Sequence, residues 1–319
     1  RVFVFWGCPI FGYIIRRTLY MIPILIGVTF LTFSLFNLVG GDPAIRFAGK
    51  HATVERVAEI RSELGLDRSV GEQYLFFVKQ IVTFDYGRSW ATKQEISTMI
   101  TDGLGATLSL TVPSFVASVA FCILLALFAV YGRGTILDRG TVVVCLGLLS
   151  VSSLVYILAL QYVLAFQGGL FPISGWDPSW TGRWEYLVLP WIILFVLSLG
   201  PNILIYRTVI MDEVFQDYVR TARAKGLAEK HVFAKHVLKN AMIPIITVVV
   251  IEMPVLITGS VLIENFFGIP GLGGTVIKAL NDSDFPVIKA FTVITAMAYM
   301  ILNLLEYVLY NAVDQREKL

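Results

Sequence analysis

The chain has 319 residues, of which 56% are hydrophobic and 15% are charged, and its formal net charge is +2. A soluble globular chain carries about a quarter charged residues, so this composition excludes an ordinary soluble domain and indicates a polytopic membrane protein. Cys8, Cys122 and Cys145 lack the paired spacing of metal ligands, which excludes a disulfide framework and a zinc site, and we expect buried thiols that act as small apolar side chains.

Six apolar stretches are long enough to cross a bilayer, since about 20 such residues span its hydrocarbon core. These spans are predicted at 18–39, 107–131, 141–166, 187–211, 243–267 and 287–312. Segment 1–17 is expected at the interface or in the cytoplasm, and segment 40–106 as a small insertion of two or three short helices. The pair Gly200-Pro201 predicts a kink in the fourth span. The chain is therefore predicted to be an all-α integral membrane protein with a polar tail at 313–319.

Basic residues predict the orientation of these spans. Arg16 and Arg17 precede the first span, Arg133 and Arg139 lie between the second and third, and the densest basic run lies between the fourth and fifth. All of these positions fall on one side of the membrane. The positive-inside rule therefore predicts cytoplasmic termini and an extracytoplasmic insertion.

The longest charged run between two spans is segment 212–242, which we name the charged loop. Gly226 is expected to end a first helix in the left-handed conformation. A second helix, from about Ala228 to Ala241, has an apolar stripe and basic faces. A helix–glycine–helix of this kind lies either on anionic lipid or in a groove of a soluble partner.

Several kinds of site are missing from the sequence. It contains no phosphate-binding loop of the form GxxxxGK[ST], no HExxH and no TVGYG, so we do not expect it to bind ATP by itself, to be a zinc enzyme or to be a potassium channel. His231 and His236 lie in the basic helix and are interpreted as solvated side chains. The serines of the spans have no histidine nearby, which leaves nucleophilic catalysis unsupported.

Polar side chains within spans are costly and usually face a cavity or a partner. Glu252, in the middle of the fifth span, is either a carboxylate that lines the solute path or a carboxyl group that a neighbouring helix satisfies. Asn202 and Tyr206 are candidates for the same path, although capping of the backbone freed by Pro201 is favoured for them. Asn303 and Glu306 lie in the sixth span, with Glu306 near its cytoplasmic end, where an interface or gate contact is favoured.

The motifs occur in a recognisable order over almost the whole chain. They are RRTLYMIPILIGVTFLTFSLFNLVGGDPA, ELGLDRSVGEQY, DYGRSW, ARAKGL, HVLKNAMIPIIT and ENFFGIPGLG. In this order they resemble the permease subunits of ABC importers, specifically the dipeptide/oligopeptide (peptide/nickel) branch of bacterial inner membranes. One feature departs from the broad family pattern, because Arg220, Thr221 and Ala222 replace the Glu-Ala-Ala opening of its loop motif.

The resemblance implies a mechanism with partners. A second homologous permease would complete one pathway, two ATPase subunits that bind ATP and Mg²⁺ would dock on the charged loop, and an extracytoplasmic binding protein would deliver the solute to the first outer loop and to 268–286. The implied ATPase contacts are Tyr218, Arg220, Ala222, Arg223, Ala224, Lys225, Gly226 and Leu227. Phe233 and Val237 would anchor the second helix to the spans.

The sequence leaves the transported solute and two other classes of protein open. Members of this branch carry peptides, nickel, metal chelates or glutathione, and peptides are the leading expectation. A stand-alone carrier would show paired repeats and broken helices in both halves, whereas only one Gly-Pro pair is visible here. A membrane enzyme would need a nucleophile or metal set, which the sequence lacks.

Overall fold

The structure is a computed structural model that describes residues 9–36, 44–45, 53–63 and 65–313, and every regular element in these ranges is a helix. We number the helices in chain order. They are α1 (Pro9–Ser34), α2 (Val54–Glu63), α3 (Val70–Thr83), α4 (Ile96–Tyr131), α5 (Ile136–Leu149), α6 (Ser153–Gln167), α7 (Trp180–Val214), α8 (Asp217–Ala224), α9 (Glu229–Glu252), α10 (Pro254–Thr258), α11 (Val261–Phe267), α12 (Leu272–Asn281) and α13 (Phe285–Val313).

Five of these helices are long and apolar enough to cross a membrane, namely α1 (from Ile15), α4, α7, α9 and α13. Helices α5 and α6 pass the same test as a pair and give a sixth candidate, but they are bent by 92° at their junction. The third span, expected as one segment at 141–166, is therefore broken. At the bend the Ser150 hydroxyl donates to the Leu146 carbonyl at 2.8 Å, and the Tyr156 hydroxyl donates to the Leu148 carbonyl at 2.9 Å.

The fifth predicted span, 243–267, also differs from a single helix. Helix α9 runs without a break from the charged loop through Pro244 to Glu252. Pro254 then begins the short helix α10, since proline has no N–H to continue the preceding ladder. Gly259, whose φ is +71°, separates α10 from α11. The apolar stretch is thus one long helix followed by two short ones.

The fourth span matches a single helix, because α7 continues through Gly200 and Pro201. A Cβ atom at Gly200 would lie 3.1 Å from the Cys145 carbonyl oxygen and 3.1 Å from Leu149 Cγ. The glycine therefore lets the backbones of α5 and α7 approach closely. Cys122 and Cys145 are free, buried thiols, whereas Cys8 lies outside the described residues.

The chain forms two compact units, which we describe separately: residues 1–104 with 275–304, and residues 105–274 with 305–319. In the first unit, Phe33 packs against Tyr74 and Phe77, with ring centroids 5.3 Å and 6.3 Å apart. Helix α3 begins with a capping box in which the Glu72 N–H donates to Ser69 Oγ at 3.3 Å. Hydrogen bonds from Ser69 lower the pKa of the Glu72 carboxyl group.

The expected insertion contains the short helices α2 and α3, and it is held to the start of α13 by the buried carboxylate of Asp284. This carboxylate accepts hydrogen bonds from the Ser89 hydroxyl and from the N–H groups of Trp90 (3.1 Å) and Ala91 (3.3 Å). The DYGRSW motif therefore ends in a turn that surrounds an acidic side chain almost 200 residues further along the chain.

Candidate functional site

The charged loop contains two helices with Gly226 between them. Helix α8 ends at Ala224, Gly226 has a φ of +75°, and α9 begins at Glu229. The Gly226 N–H donates to the Arg223 carbonyl at 2.9 Å, which closes the C-terminus of α8. Across the turn, Arg223 Nε lies 2.8 Å from Glu229 Oε1. The turn between the two helices thus contains a left-handed glycine and is crossed by an ion pair.

The buried face of the charged loop is apolar. It consists of Val219 and Ala222 from α8 and Val232, Phe233 and Val237 from α9. These side chains belong to one hydrophobic cluster with α4, α5 and α7, and the Phe233 ring meets the Tyr131 ring edge-on at 5.2 Å. The loop is therefore packed against the ends of candidate spans.

The predicted ATPase contacts fall on both faces of this loop. Arg220, Ala224, Lys225 and Leu227 are exposed, and Gly226 is also accessible. Ala222 is 4% exposed and packs in the cluster, so its side chain faces the spans. Tyr218 and Arg223 are half-buried, and Tyr218 donates its hydroxyl hydrogen to the carboxylate of Glu213. The exposed residues of this set are therefore the ones that a partner could contact.

An ion pair beside the charged loop joins α5 to α7. Arg207 Nε donates to Asp138 Oδ1 at 2.7 Å, and the Asp138 carboxylate also accepts from the Gly134 N–H at 3.1 Å. Nearby, the Arg133 guanidinium lies 5.2 Å from the centroid of the Phe215 ring. The short segment between α4 and α5 thus contacts the end of α7, where the charged loop begins.

The candidate pathway residues are found together in the second unit. Asn202 Nδ2 donates to Glu252 Oε2 at 3.3 Å, so Asn202 binds a side chain of a neighbouring helix rather than the backbone freed by Pro201. Tyr206 is fully buried, and within the described part of the chain its hydroxyl has no hydrogen-bond partner. Asn303 is partly buried in α13, and the side chain of Glu306 lies outside the described residues.

A buried carboxylate that the sequence reasoning missed lies at Glu264 in α11. Its Oε1 accepts from the Thr107 hydroxyl at 2.8 Å, and its Oε2 accepts from the Gly274 N–H at 3.0 Å. The Thr107 hydroxyl oxygen in turn accepts from the Leu272 N–H at 2.8 Å. One carboxylate therefore joins α11, α4 and the segment 268–274, which we name the glycine-rich turn.

Glycines make room for this carboxylate. A Cβ at Gly273 would lie 2.9 Å from Glu264 Oε2, and a Cβ at Gly271 would overlap the same carboxyl group. Gly271 and Gly273 of the ENFFGIPGLG motif are thus explained by the acidic residue that opens it, whereas Gly268 has a φ of +67° and ends α11. The available signal is a glutamate at the end of an apolar span, followed from the fourth residue onward by four glycines within 268–274.

The family is established by comparison with known proteins. Residues 106–319 match the family described as binding-protein-dependent transport system inner membrane component, and residues 10–111 match the N-terminal region of such membrane components. A putative peptide transport system permease protein of Brucella abortus (strain 2308) is 35% identical over 308 residues, which cover 95% of this chain and 98% of that protein. The corresponding protein of Brucella suis biovar 1 is equally similar.

A glutathione transport system permease protein of Salmonella choleraesuis is 31% identical over 304 residues, 95% of this chain and 97% of the relative. The matched regions together contain both the charged loop and the glycine-rich turn. The resemblance seen in the sequence motifs is confirmed. The chain therefore belongs to the family of inner membrane components of binding-protein-dependent transport systems, the permease subunits of ABC importers.

Proposed function

We propose that this permease carries peptides that an extracytoplasmic binding protein delivers, and that ATPase subunits drive it through the charged loop. The observation that supports the coupling role is the two-sided packing of that loop. Its apolar face is buried among α4, α5 and α7, while Arg220, Lys225 and Leu227 remain exposed for a partner. A displacement of the exposed face would therefore reach the spans directly.

The proposal includes the partners and the orientation. A second homologous permease completes the pathway, two ATPase subunits supply ATP and Mg²⁺ binding, and both termini lie in the cytoplasm. The clustering of basic residues on the side of the charged loop supports this orientation. Asn202, Tyr206 and Glu252 are the polar side chains that we assign to the pathway, since polar groups in spans are retained where they have a function.

Peptides are proposed as the solute because the relatives at 35% identity are named as peptide transport permeases. The binding protein of the same system, purified from cells, is expected to carry a peptide when examined by native mass spectrometry. If glutathione or a metal chelate is found instead, the peptide assignment fails while the permease role remains.

The coupling role is tested by Gly226→Pro. Proline fixes φ near about −65°, whereas Gly226 has a φ of +75°, and proline also lacks the N–H that closes α8. In proteoliposomes that contain the whole complex, we expect peptide uptake to be lost and ATPase activity to become independent of the binding protein. Membrane insertion should be unchanged.

The matched control is Gly169→Pro, because Gly169 also has a positive φ, +60°, and lies outside the charged loop. This control should retain uptake and stimulation by the binding protein. Unchanged stimulated turnover in Gly226→Pro, or an equal loss in both variants, would contradict coupling through the charged loop.

A further inference from the structure

Tyr206 carries a buried hydroxyl group in the middle of the second unit. The residue is fully buried in α7 among apolar side chains of α4, α5 and α9, and within the described part of the chain its hydroxyl has no hydrogen-bond partner. A buried donor without an acceptor is costly, and a phenylalanine would fill the same space without that cost. The hydroxyl is therefore unexplained by the arrangement seen here, and an acceptor in a second arrangement of the same helices would explain it.

The Glu252 carboxyl group is an acceptor close to this hydroxyl. Glu252 is half-buried at the end of α9 and interacts electrostatically with Tyr206. Its Oε2 accepts from Asn202 Nδ2 at 3.3 Å, beyond the usual range of about 2.7–3.2 Å. Its Oε1 accepts no hydrogen bond from the residues that the structure describes. The carboxyl group thus has one long hydrogen bond and one oxygen that can accept another.

Asn202 and Tyr206 place two hydrogen-bond donors along one face of α7. They are four residues apart and both are buried, so they lie on the same side of the helix one turn apart. One α-helical turn rises about 5.4 Å. Packed helices can shift past one another by a step of this kind, because close-packed side chains favour discrete positions over a continuous slide. A shift of α9 along α7 would therefore bring Glu252 from the first donor to the second.

Helix α9 connects Glu252 to the charged loop. It runs for 24 residues from Glu229 in the loop to Glu252, a length of roughly 35 Å at about 1.5 Å per residue. The helix stops there, because Pro254 has no N–H to continue the ladder and begins α10. The chain beyond this break is attached to α4, since the Thr111 hydroxyl donates to the Leu256 carbonyl at 2.9 Å. A displacement of the loop therefore reaches Glu252 along one helix, and the break before Pro254 separates Glu252 from the attached segment.

We propose that Glu252 changes its hydrogen-bond partner during transport, from Asn202 in the arrangement seen here to Tyr206 in the alternate one. When the charged loop is displaced, α9 shifts along α7 toward the loop by up to one turn. The bond from Asn202 breaks, and the Tyr206 hydroxyl donates to the carboxyl group instead. One hydrogen bond replaces another, so Glu252 has a donor in both arrangements. This inference rests on the proposed role of the charged loop and adds the residues whose contacts distinguish the two states.

The first test compares Tyr206→Phe with Tyr162→Phe in the whole transport complex. Tyr206→Phe should leave the unfolding temperature unchanged or slightly higher, because the lost hydroxyl has no protein partner among the described residues. It should lower peptide uptake in proteoliposomes about tenfold, the effect of losing one hydrogen bond to a charged group in the alternate state. Tyr162 is the matched control, since it is an exposed tyrosine of α6 whose ring stacks on Phe166, and its substitution should change neither quantity. Unchanged uptake in Tyr206→Phe, or a lower unfolding temperature, would overturn the proposal.

A second measurement compares the two states without relying on uptake. Unfolding temperatures are measured for Tyr206→Phe, Asn202→Leu and Glu252→Leu, singly and in pairs. Each variant is examined in the nucleotide-free complex and in the complex held with ATP and vanadate. Residues in contact give non-additive effects. Glu252 should be coupled to Asn202 in one state and to Tyr206 in the other. Coupling to both in the same state, or no coupling to Tyr206 in either, would contradict the exchange.

The results separate this inference from the role proposed for the charged loop. If Gly226→Pro loses stimulation by the binding protein while Tyr206→Phe transports normally, coupling through the loop stands and the exchange at Glu252 fails. If Gly226→Pro remains stimulated while the coupling of Glu252 still changes from Asn202 to Tyr206 between the two states, the exchange stands and the role of the loop fails.

Discussion

The charged loop contacts the candidate spans through apolar side chains, whereas the glycine-rich turn contacts them through the carboxylate of Glu264. The side chains of Val219, Phe233 and Val237 are apolar. Their stabilising effect depends on the apolar area that they bury and not on the angle at which they approach their neighbours. The bonds to Glu264 need distances near 2.7–3.2 Å and good angles. The two attachments therefore differ in how much displacement they tolerate.

This difference is what we expect of a transporter in which the charged loop is displaced by a partner while the glycine-rich turn keeps its geometry. Apolar packing at the charged loop allows small rotations of α8 and α9, although a rotation of α8 would also act on the hydrogen bond from Tyr218 to Glu213. The glycine-rich turn is more closely fixed, because a shift of about an ångström would take the Gly274 N–H out of hydrogen-bond range of Glu264. We expect the loop to change its contacts during transport and the turn to move as one body with α4 and α11.

The largest expected effect on stability is that of Phe233→Ala. The side chain is 6% exposed and packs against Tyr131, and truncating a buried phenylalanine costs about 3–5 kcal/mol. Thermal unfolding of the purified permease should show this loss. Phe215→Ala is the control, since Phe215 is 58% exposed, and its effect should be far smaller. Equal effects of the two changes would show that the charged loop is not packed on the spans.

A smaller loss is expected for Glu264→Ala. The substitution leaves the part-buried Gly274 N–H and the buried Thr107 hydroxyl without their acceptor, at a cost of about 2–3 kcal/mol in the free energy of unfolding. Glu185→Ala is the matched control, because Glu185 is an exposed glutamate of α7. A thermal shift no larger than that of the control would contradict the role of Glu264.

The Glu264 carboxylate also allows a test of energetic coupling between two residues that are distant in the sequence. Thr107→Val removes the hydroxyl that bridges Glu264 and the Leu272 N–H. Combined with Glu264→Ala, it should be less destabilising than the sum of the two single changes, since both remove the same contact. Strict additivity would show that the two residues stabilise the fold independently.

The sequence predicted the order of the spans and the glycine that divides the charged loop, because both depend on local composition. Hydropathy could not predict the 92° bend between α5 and α6, since the two helices together are apolar enough for one span, although Ser150, Ser152 and Ser153 lie at the break. It also could not separate the end of the charged loop from the fifth span, which form one helix, α9. The hydropathy of a stretch of sequence indicates its length and its polarity. It carries no information about the direction of the helix axis.

The partners of the buried polar side chains could not be predicted from the sequence for a different reason. Glu264 meets Thr107 across 157 positions, and Asp284 meets Ser89 across 195. Neither pairing produces a periodicity or a spacing that can be recognised in a single sequence. Glu252 was recognisable as a polar residue in a span, but its partner Asn202 was interpreted as a backbone cap because Pro201 precedes it.

The smallest expected effect concerns the turn of the charged loop and separates backbone conformation from packing. Gly226→Ala places a Cβ in open space, so its cost comes only from the φ of +75° and should be about 1 kcal/mol. Gly140 in α5 also has open space around its Cβ position, but its φ is outside the positive range. Gly140→Ala should therefore stabilise the protein by about 0.5–1 kcal/mol, because alanine favours a helix. The two variants should shift the unfolding temperature in opposite directions, and a shift of the same sign in both would contradict a left-handed turn at Gly226.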